Sequence, residues 1–261
     1  MTEQGQAKPG WLRARATEAL LAVVLLTRLP APRLPDPAPR LGEAAWAFPL
    51  AGLVLGVLAS AVLALALAFG VPPSVAAGLA LGAQVMMTGA LHEDGLADCA
   101  DGFWGGFTRE RRLEIMRDSR IGTYGVAALV FSLGLRWQAL AFLAGFSPIV
   151  ASAALIGLAM STRVTSVALM ATMPTARDNG MGHRATGVTP VVLAGAMALG
   201  IAGPLLLGLP LFAIVLAETL AALAVARLAM QRLGGQTGDV LGAAQQCAEI
   251  LGWCAICALL G

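Results

Sequence analysis

Long apolar stretches alternate with short polar segments along this chain, a pattern typical of a polytopic membrane protein. About 20 apolar residues in a helix cross the ~30 Å hydrocarbon core of a bilayer. Runs of that length lie at 45–69, 71–91, 122–145, 148–171, 187–208, 209–230 and 241–260. The pattern therefore predicts an all-α, polytopic membrane bundle of about seven transmembrane helices.

The N-terminal part of the chain departs from this pattern. Residues 18–29 form an apolar run that is too short to span, and a proline-rich stretch follows it. We expect an interfacial or re-entrant segment there, after a cytoplasmic tail at 1–16. Residues 17–261 would form a single membrane-embedded domain, because too little polar sequence remains for a second folded domain.

Composition and charge support this topology and orient it. Hydrophobic residues make up 58% of the chain and charged residues 12%, against roughly 25% charged residues in soluble domains. The lipid bilayer is thus an expected partner, and nucleic acid is not. The turns near 71–74, 145–148 and 208–210 carry no charge, whereas the other connections hold most of the arginines. By the positive-inside rule, the polar loops at 92–121, 172–186 and 231–240 are expected to converge on the cytoplasmic side of the membrane.

The first of these loops carries the densest charge. Asp94, Asp98 and Asp101 follow at i, i+4 and i+7, which places three carboxylates on one face of a helix. A divalent cation would relieve their repulsion, and carboxylate oxygens are the ligands that Mg²⁺ prefers. Glu93 points about 100° away and is a weaker candidate ligand. The alternative is a solvated charged helix end at the membrane surface.

Arginines follow the aspartates at a short distance. Thr108 can cap a short amphipathic helix, after which Arg117 and Arg120 flank Asp118. A guanidinium group can donate two parallel hydrogen bonds to the oxygens of one phosphate. Carboxylates that can bind a metal, next to arginines that can bind phosphates, therefore favour phosphoryl transfer. Anchoring by the positive-inside rule is the alternative, and it explains the preceding arginines better than these two.

Other polar residues extend the candidate site. Arg163 lies within a predicted span and could pair with Glu218, either as a structural ion pair or as part of a substrate contact. In the second loop, an anionic substrate could contact Arg177, Asn179, His183 and Arg184. The third loop joins several glycines, including Gly235, to a helix start, where free N–H groups can bind an anion and Asp239 could instead serve as a helix cap.

These strings together resemble the cobalamin synthase family, the adenosylcobinamide-GDP ribazoletransferases. The matching segments are HEDGLADCADG, EIMRDSRIGTYG, GGQTGDVLGA, TRLP and FPLAGLVLG, in the same order and at similar spacing. The resemblance implies a multi-pass inner-membrane enzyme that uses Mg²⁺. Its partners would be adenosylcobinamide-GDP and α-ribazole or its 5′-phosphate, with release of GMP.

The resemblance also assigns roles to residues. By the resemblance, Asp94, Asp98, Asp101 and Asp118 would be the catalytic group, with Mg²⁺ held by the first three, and Arg117 and Arg120 would bind substrate. Glu93 is a further candidate ligand only because it neighbours Asp94. The other residues expected to bind substrate, from their places in the polar segments and spans, are His92, Arg163, Arg177, Gly235 and Asp239. A homo-oligomer, or association with other enzymes of cobalamin synthesis, is a further expectation.

Two other functions remain open at the level of sequence. A CDP-alcohol phosphotransferase also uses spaced aspartates and glycines, but its D-G-x2-A-R signature fails here because Asp98 follows Ala97. An ion or vitamin transporter could line a path with the acids, although these cluster at one face and no inverted repeat is visible.

Overall fold

The computed structural model describes residues 10–177, 186–206 and 208–260. Within these ranges the chain is helical and forms no β-strand, so the predicted all-α class is confirmed. The helices in chain order are α1 (Trp11–Leu26), α2 (Leu41–Ala44), α3 (Phe48–Ala68), α4 (Pro73–Thr88), α5 (Leu91–Gly105), α6 (Arg109–Ile115), α7 (Thr123–Phe146), α8 (Pro148–Thr172), α9 (Pro190–Leu206), α10 (Leu211–Leu233) and α11 (Gly238–Leu260).

Five stretches are long and apolar enough to cross a bilayer, which supports a multi-pass membrane protein. They are Leu41–Ala68, comprising α2, a short 3₁₀ turn and α3, and the helices α7, α8, α10 and α11. The predicted spans at 71–91 and 187–208 differ from this set. The first is the 16-residue α4, which bends by 85° into α5, and the second is the 17-residue α9.

The bend between α4 and α5 arises from two consecutive left-handed residues. Gly89 has φ 64° and Ala90 has φ 57°. Glycine adopts this conformation without cost, whereas alanine does so only where its surroundings hold it. The aspartate helix α5 therefore leaves the direction of α4 abruptly and runs across the bundle instead of continuing the span.

The polar loops at 92–121 and 231–240 are shorter than the sequence predicts. The segment predicted as a loop at 92–121 consists largely of α5 and α6, and the one at 231–240 shrinks because α10 continues to Leu233 and α11 begins at Gly238. Thr108 caps α6 as expected, since its Oγ1 accepts a hydrogen bond of 3.2 Å from the N–H of Arg111. The aspartates on α5 and the arginines on α6 thus lie on helices with a defined register, whereas Arg117, Asp118 and Arg120 lie in the connection between α6 and α7.

The N-terminal helix α1 begins at Trp11, within the stretch predicted as a tail. Its 16 residues extend roughly 24 Å, less than a full span requires. It packs against α3, and its buried Glu18 accepts a 2.6 Å hydrogen bond from Trp46 Nε1 and pairs with Arg15 at 2.6 Å. These contacts dock α1 onto the bundle.

Helix α8 lies at the centre of the bundle, where it contacts α3, α9 and α11. Its approach to α3 depends on small residues: a Cβ atom at Gly56 would lie 2.6 Å from the Cα of Ile156, and one at Gly52 would clash with the carbonyl oxygen of Ala159. Small residues four apart allow membrane helices to pack backbone to backbone. The FPLAGLVLG string therefore encodes this helix contact.

Candidate active site

The three polar segments predicted from the sequence contact one another directly. Arg109 on α6 donates hydrogen bonds from Nε to the carbonyl oxygen of Leu233 at 2.6 Å and from Nη2 to that of Ala176 at 2.8 Å. The N–H of Gln236 donates to the carbonyl oxygen of Pro174 at 2.8 Å, which joins the second and third segments. The side chain of Arg109 therefore links all three segments, which lie together as the sequence predicts.

Gly235 lies where the second and third segments cross. A Cβ atom there would clash with the carbonyl oxygen of Pro174 and lie 2.9 Å from the amide nitrogen of Ala176. The structure thus gives the glycine a packing reason. Its role in substrate binding stays a prediction.

Helices α5 and α11 cross closely, and this crossing sets the position of the aspartates. A Cβ atom at Gly95 would lie 2.7 Å from the carbonyl oxygen of Asp239, and one at Gly242 would lie 3.3 Å from the Cα of His92. Because both crossing points are glycines, the start of α11 rests directly on α5. Asp239 is thereby placed beside the face of α5 that carries Asp94.

A cleft of about 440 Å³, here called the aspartate cleft, opens beside α5. Asp94 and Asp98 lie on one wall and the segment 117–120 forms the other. The polar residues that line it are Glu93, Asp94, Asp98, Arg117, Asp118, Ser119 and Arg120. The structure therefore brings three of the four candidate metal ligands, Glu93, Asp94 and Asp98, and two candidate phosphate-binding arginines to one cavity.

Crowding of negative charge marks Asp98, which lies on α5 outside the five candidate spans. Burial raises the pKa of Asp98 to about 7, and repulsion from Asp94, Asp239 and Asp101 adds to the effect. The charge of Arg177 acts in the opposite direction. A cation bound in the cleft would relieve this repulsion.

Arg120 and Asp118 form an exposed pair at the mouth of the cleft. Nη2 of Arg120 lies 2.7 Å from Oδ2 of Asp118, and Nε lies 3.1 Å from Oδ1. The hydrogen bonds from Arg120 lower the pKa of Asp118 to about 2. Exposed pairs contribute little to stability, so a phosphate can replace the carboxylate on this guanidinium.

Arg177 and Asp239 form a second pair, at the base of the site. Nη1 of Arg177 lies 3.4 Å from Oδ2 of Asp239, which also accepts a 3.2 Å hydrogen bond from Thr237 Oγ1. Nη2 of Arg177 donates to the carbonyl oxygen of Leu113 at 3.1 Å. Arg177 thus fixes α6 to the start of α11.

Asp101 has a different environment from the two preceding aspartates. Its Oδ2 accepts a 2.7 Å hydrogen bond from the N–H of Gly122, and its Oδ1 accepts one of 2.9 Å from the N–H of Gly125. A Cβ atom at Gly125 would lie 2.5 Å from Oδ2. The structure therefore assigns Asp101 to capping the start of α7, and its predicted part in metal binding stays a prediction.

Glu93 points from α5 into the bundle, about where its angular offset from Asp94 places it. Its Oε1 pairs with Nη1 of Arg136 at 3.0 Å and accepts a 3.0 Å hydrogen bond from Gln246 Nε2. Nη2 of Arg136 pairs with Glu249 at 2.9 Å. This buried network ties α5 to α7 and α11 behind the aspartate cleft.

The suggested pair between Arg163 and Glu218 is wrong. Glu218 accepts a 2.5 Å hydrogen bond from Ser161, whereas Nη1 of Arg163 donates to the carbonyl oxygen of Ala159 in its own helix. Two residues of separation on α8 rotate Ser161 and Arg163 to different faces, so only the serine reaches α10. Arg163 is fully buried and does not line the aspartate cleft.

His92 is also buried, at the foot of α5. Burial and the nearby Arg163 lower the pKa of His92 to about 3, so the imidazole is neutral. It lines a small cavity of about 120 Å³ together with Asp94 and Asp239. A neutral imidazole could offer a substrate a hydrogen bond but no charge.

Several residues with structural roles at the site escaped the sequence interpretation. The partners of Arg136 and the linking role of Arg109 depend on contacts between distant segments, which spacing does not reveal. One local signal was present: Gln245 and Glu249 are four residues apart in an apolar helix, and Gln245 Nε2 donates to Glu249 at 2.7 Å. Asn179, His183 and Arg184 lie outside the described residues.

Comparison with known proteins places these features in a family. Residues 18–257 match the family described as cobalamin-5-phosphate synthase. A protein of Bradyrhizobium diazoefficiens named adenosylcobinamide-GDP ribazoletransferase is 47% identical over 220 residues, which cover 81% of each chain. Proteins of the same name from Mesorhizobium japonicum and Rhizobium johnstonii are 44% and 40% identical, over 89% and 94% of this chain and 90% and 98% of their own.

No solved structure matches this chain. The family match covers nearly all of the described helices, including every residue that lines the aspartate cleft. On this match and the identities above, the chain belongs to the cobalamin-5-phosphate synthase family.

Proposed function

We propose that this protein is an adenosylcobinamide-GDP ribazoletransferase, which transfers the cobinamide phosphate group of adenosylcobinamide-GDP to α-ribazole or its 5′-phosphate. The products are adenosylcobalamin or its 5′-phosphate, and GMP. The family match and the shared name of the relatives support the activity. One structural observation supports the location of this activity: Asp94 and Asp98 line the same cleft as Arg117 and Arg120.

Magnesium fits this cleft through two carboxylates. No group of three or more histidine, cysteine, aspartate or glutamate side chains lies close enough to hold a metal within the described ranges. Mg²⁺, however, is commonly bound by one or two carboxylates, with substrate phosphates and water completing its octahedron. Asp94 and Asp98, one helical turn apart, supply that pair. Repulsion from neighbouring carboxylates, which adds to burial in raising the pKa of Asp98, would be relieved by a bound cation. The bound ion would neutralise the diphosphate oxygens.

The arginines supply the remaining charge for the reaction. Arg120 would release Asp118 and bind the diphosphate with its guanidinium fork, and Arg117 would neutralise the second phosphate. The ribazole hydroxyl oxygen forms a bond to the cobinamide-linked phosphorus. The bond from that phosphorus to the bridging oxygen breaks, GMP leaves with this oxygen, and the hydroxyl proton passes to water. The protein contributes position and charge and forms no covalent intermediate.

We place this cleft on the cytoplasmic side of the inner membrane. The arginine-rich connections that build it support this orientation through the positive-inside rule, and the diphosphate of adenosylcobinamide-GDP is charged. The family match favours this function over lipid phosphotransfer and over transport.

GMP release by the detergent-purified protein tests the proposal. The reaction contains adenosylcobinamide-GDP, α-ribazole and Mg²⁺, and a parallel reaction contains a CDP-alcohol with its acceptor. We expect stoichiometric GMP and a cobamide product, both lost on chelation. CMP in the second reaction, or no nucleotide from either, would contradict it.

A further inference from the structure

A second cleft adjoins the segment 117–120, which also lines the aspartate cleft. Its volume is about 500 Å³, and we call it the outer cleft. Asp118, Arg120 and Ile121 line both this cavity and the aspartate cleft. A ligand that bound its phosphates at Arg120 could therefore extend into either cavity.

The lining of the outer cleft combines an aromatic ring, aliphatic side chains and carboxylates. Tyr124, the only tyrosine of the chain, is 53% exposed at the start of α7 and borders the cleft with Ile115 and Ile121. Glu114, on α6, lines the same cleft. A flat aromatic ring could stack on Tyr124 while its edge reaches a carboxylate.

Glu114 retains capacity to accept hydrogen bonds. Its Oε2 pairs with Nη1 of Arg111 at 2.7 Å, and both side chains are largely exposed. A carboxylate offers about four lone-pair positions on its two oxygens, so Oε1 can accept from a ligand while the arginine stays bound. An exposed pair of this kind is also easily rearranged.

We propose that the outer cleft binds the guanine base of the nucleotide substrate, with the ring on Tyr124 and its N–H edge on Glu114. This inference rests on the proposed function, since it assigns a subsite to one of its substrates. Guanine donates from N1 and from its 2-amino group, which matches a carboxylate acceptor. The dimethylbenzimidazole ring of α-ribazole has no N–H to donate, and the corrinoid is much larger than this cavity.

The shared wall then gives the substrate one continuous path. The guanosine part occupies the outer cleft, the diphosphate crosses at Arg120, and the cobinamide-linked phosphate reaches Asp94 and Asp98. Cavities of about 300–1,000 Å³ are typical of small-molecule sites, so the volume suits a nucleoside. Binding of the guanine base in the outer cleft would also position the GMP part of the substrate, which is the leaving group.

Direct binding of GMP and IMP to the detergent-purified protein, measured by calorimetry, tests the base contact without requiring turnover. IMP lacks the 2-amino group, so the wild-type protein is expected to bind GMP about 10-fold or more tightly. Glu114→Gln should reduce this preference, because the amide keeps one oxygen that can accept a hydrogen bond but loses the second oxygen and the negative charge. Equal binding of GMP and IMP by the wild-type protein, or an unchanged preference in Glu114→Gln, would overturn the assignment.

Tyr124→Leu tests the stacking contact, with Phe131→Leu as its matched control. Phe131 lies on the same face of α7 two turns further on, is 69% exposed and lies outside the cleft. We expect Tyr124→Leu to raise the KM for adenosylcobinamide-GDP about 5- to 100-fold and to leave the KM for α-ribazole unchanged. Phe131→Leu should change neither constant.

The outcomes separate the two proposals. An inactive wild-type protein that still binds GMP in preference to IMP would contradict the proposed function and keep the guanine site. An active protein in which Tyr124→Leu behaves like Phe131→Leu would keep the function and refute the guanine site, with Tyr124 then acting as a membrane-interface anchor. A raised KM for α-ribazole alone would also refute it.

Discussion

Replacing Arg136 by methionine should strongly destabilise the bundle. The guanidinium donates to Glu93 at 3.0 Å, Glu249 at 2.9 Å and Gln246 at 2.7 Å, and the arginine side chain is 1% exposed. Methionine fills a similar volume but leaves two buried carboxylates without their cation. Breaking a buried pair by removing one partner costs about 3–5 kcal/mol in the free energy of unfolding.

That loss converts to a measurable shift in the midpoint of thermal unfolding. A destabilisation of 1 kcal/mol lowers the midpoint by about 2–4 °C in a chain of this size, so we expect a decrease of about 6–20 °C. A thiol-reactive fluorophore can report the transition, since Cys99 is 2% exposed and reacts only on unfolding. The exposed Cys254 and the partly buried Cys247 and Cys257 are first replaced by alanine, so that Cys99 alone reports the transition.

Two further variants test the physical reason for this shift. Arg227→Met removes an exposed arginine from α10 and should stay within about 2 °C of the wild-type protein. Combining Arg136→Met with Glu93→Gln and Glu249→Gln removes the unpaired charges, so most of the lost stability should return. If Arg136→Met unfolds at the same temperature as Arg227→Met, the network does not hold the helices together.

Three other predictions follow from the site and its supports. Without Mg²⁺, the unfolding midpoint should fall as the pH rises from 5 to 7, because the folded-state pKa of Asp98 lies near 7, above its unfolded value, and ionisation there restores the repulsion. Asp98→Asn should make this fall smaller and abolish turnover. Gly52→Val should prevent the close packing of α3 on α8 and lower the yield of folded protein. The control is Val57→Ala, on the lipid-facing side of α3, which should give more folded protein than Gly52→Val. Arg109→Gln should loosen the contact between the polar segments and raise the rate of proteolysis near residue 176, whereas an unchanged rate would show that Arg109 does not hold them.

The length of the apolar runs predicted the membrane bundle and most of its long helices, because this length can be read from the local sequence. It extended the span at 71–91 too far, since the change of direction at Gly89 and Ala90 depends on backbone angles that an apolar run does not reveal. The spacing of Asp94, Asp98 and Asp101 predicted a helix after this bend, and α5 confirms it. The full extent of α5, from Leu91 to Gly105, was not predicted, because alternating acids and glycines do not resemble an ordinary apolar helix.

The candidate site was predictable where residues act along one helix. Asp94 and Asp98 share a face and a cleft because their spacing is one turn. Asp101 has the same helical phase but meets the start of α7, and only the tertiary fold shows that backbone N–H groups surround it. The partners of Arg163 and Arg136 likewise depend on how helices rotate against one another, which spacing leaves open.

The capping of α7 by Asp101 ties the end of α5 to the beginning of α7, so residues 102–121 form a loop closed at its base by one carboxylate. The wall shared by the two clefts belongs to that loop. A substitution at Asp101, Gly122 or Gly125 would therefore shift both cavities together. Relatives that vary at one of these positions should carry a compensating change at another, and the loop tip can vary in length more freely than its base.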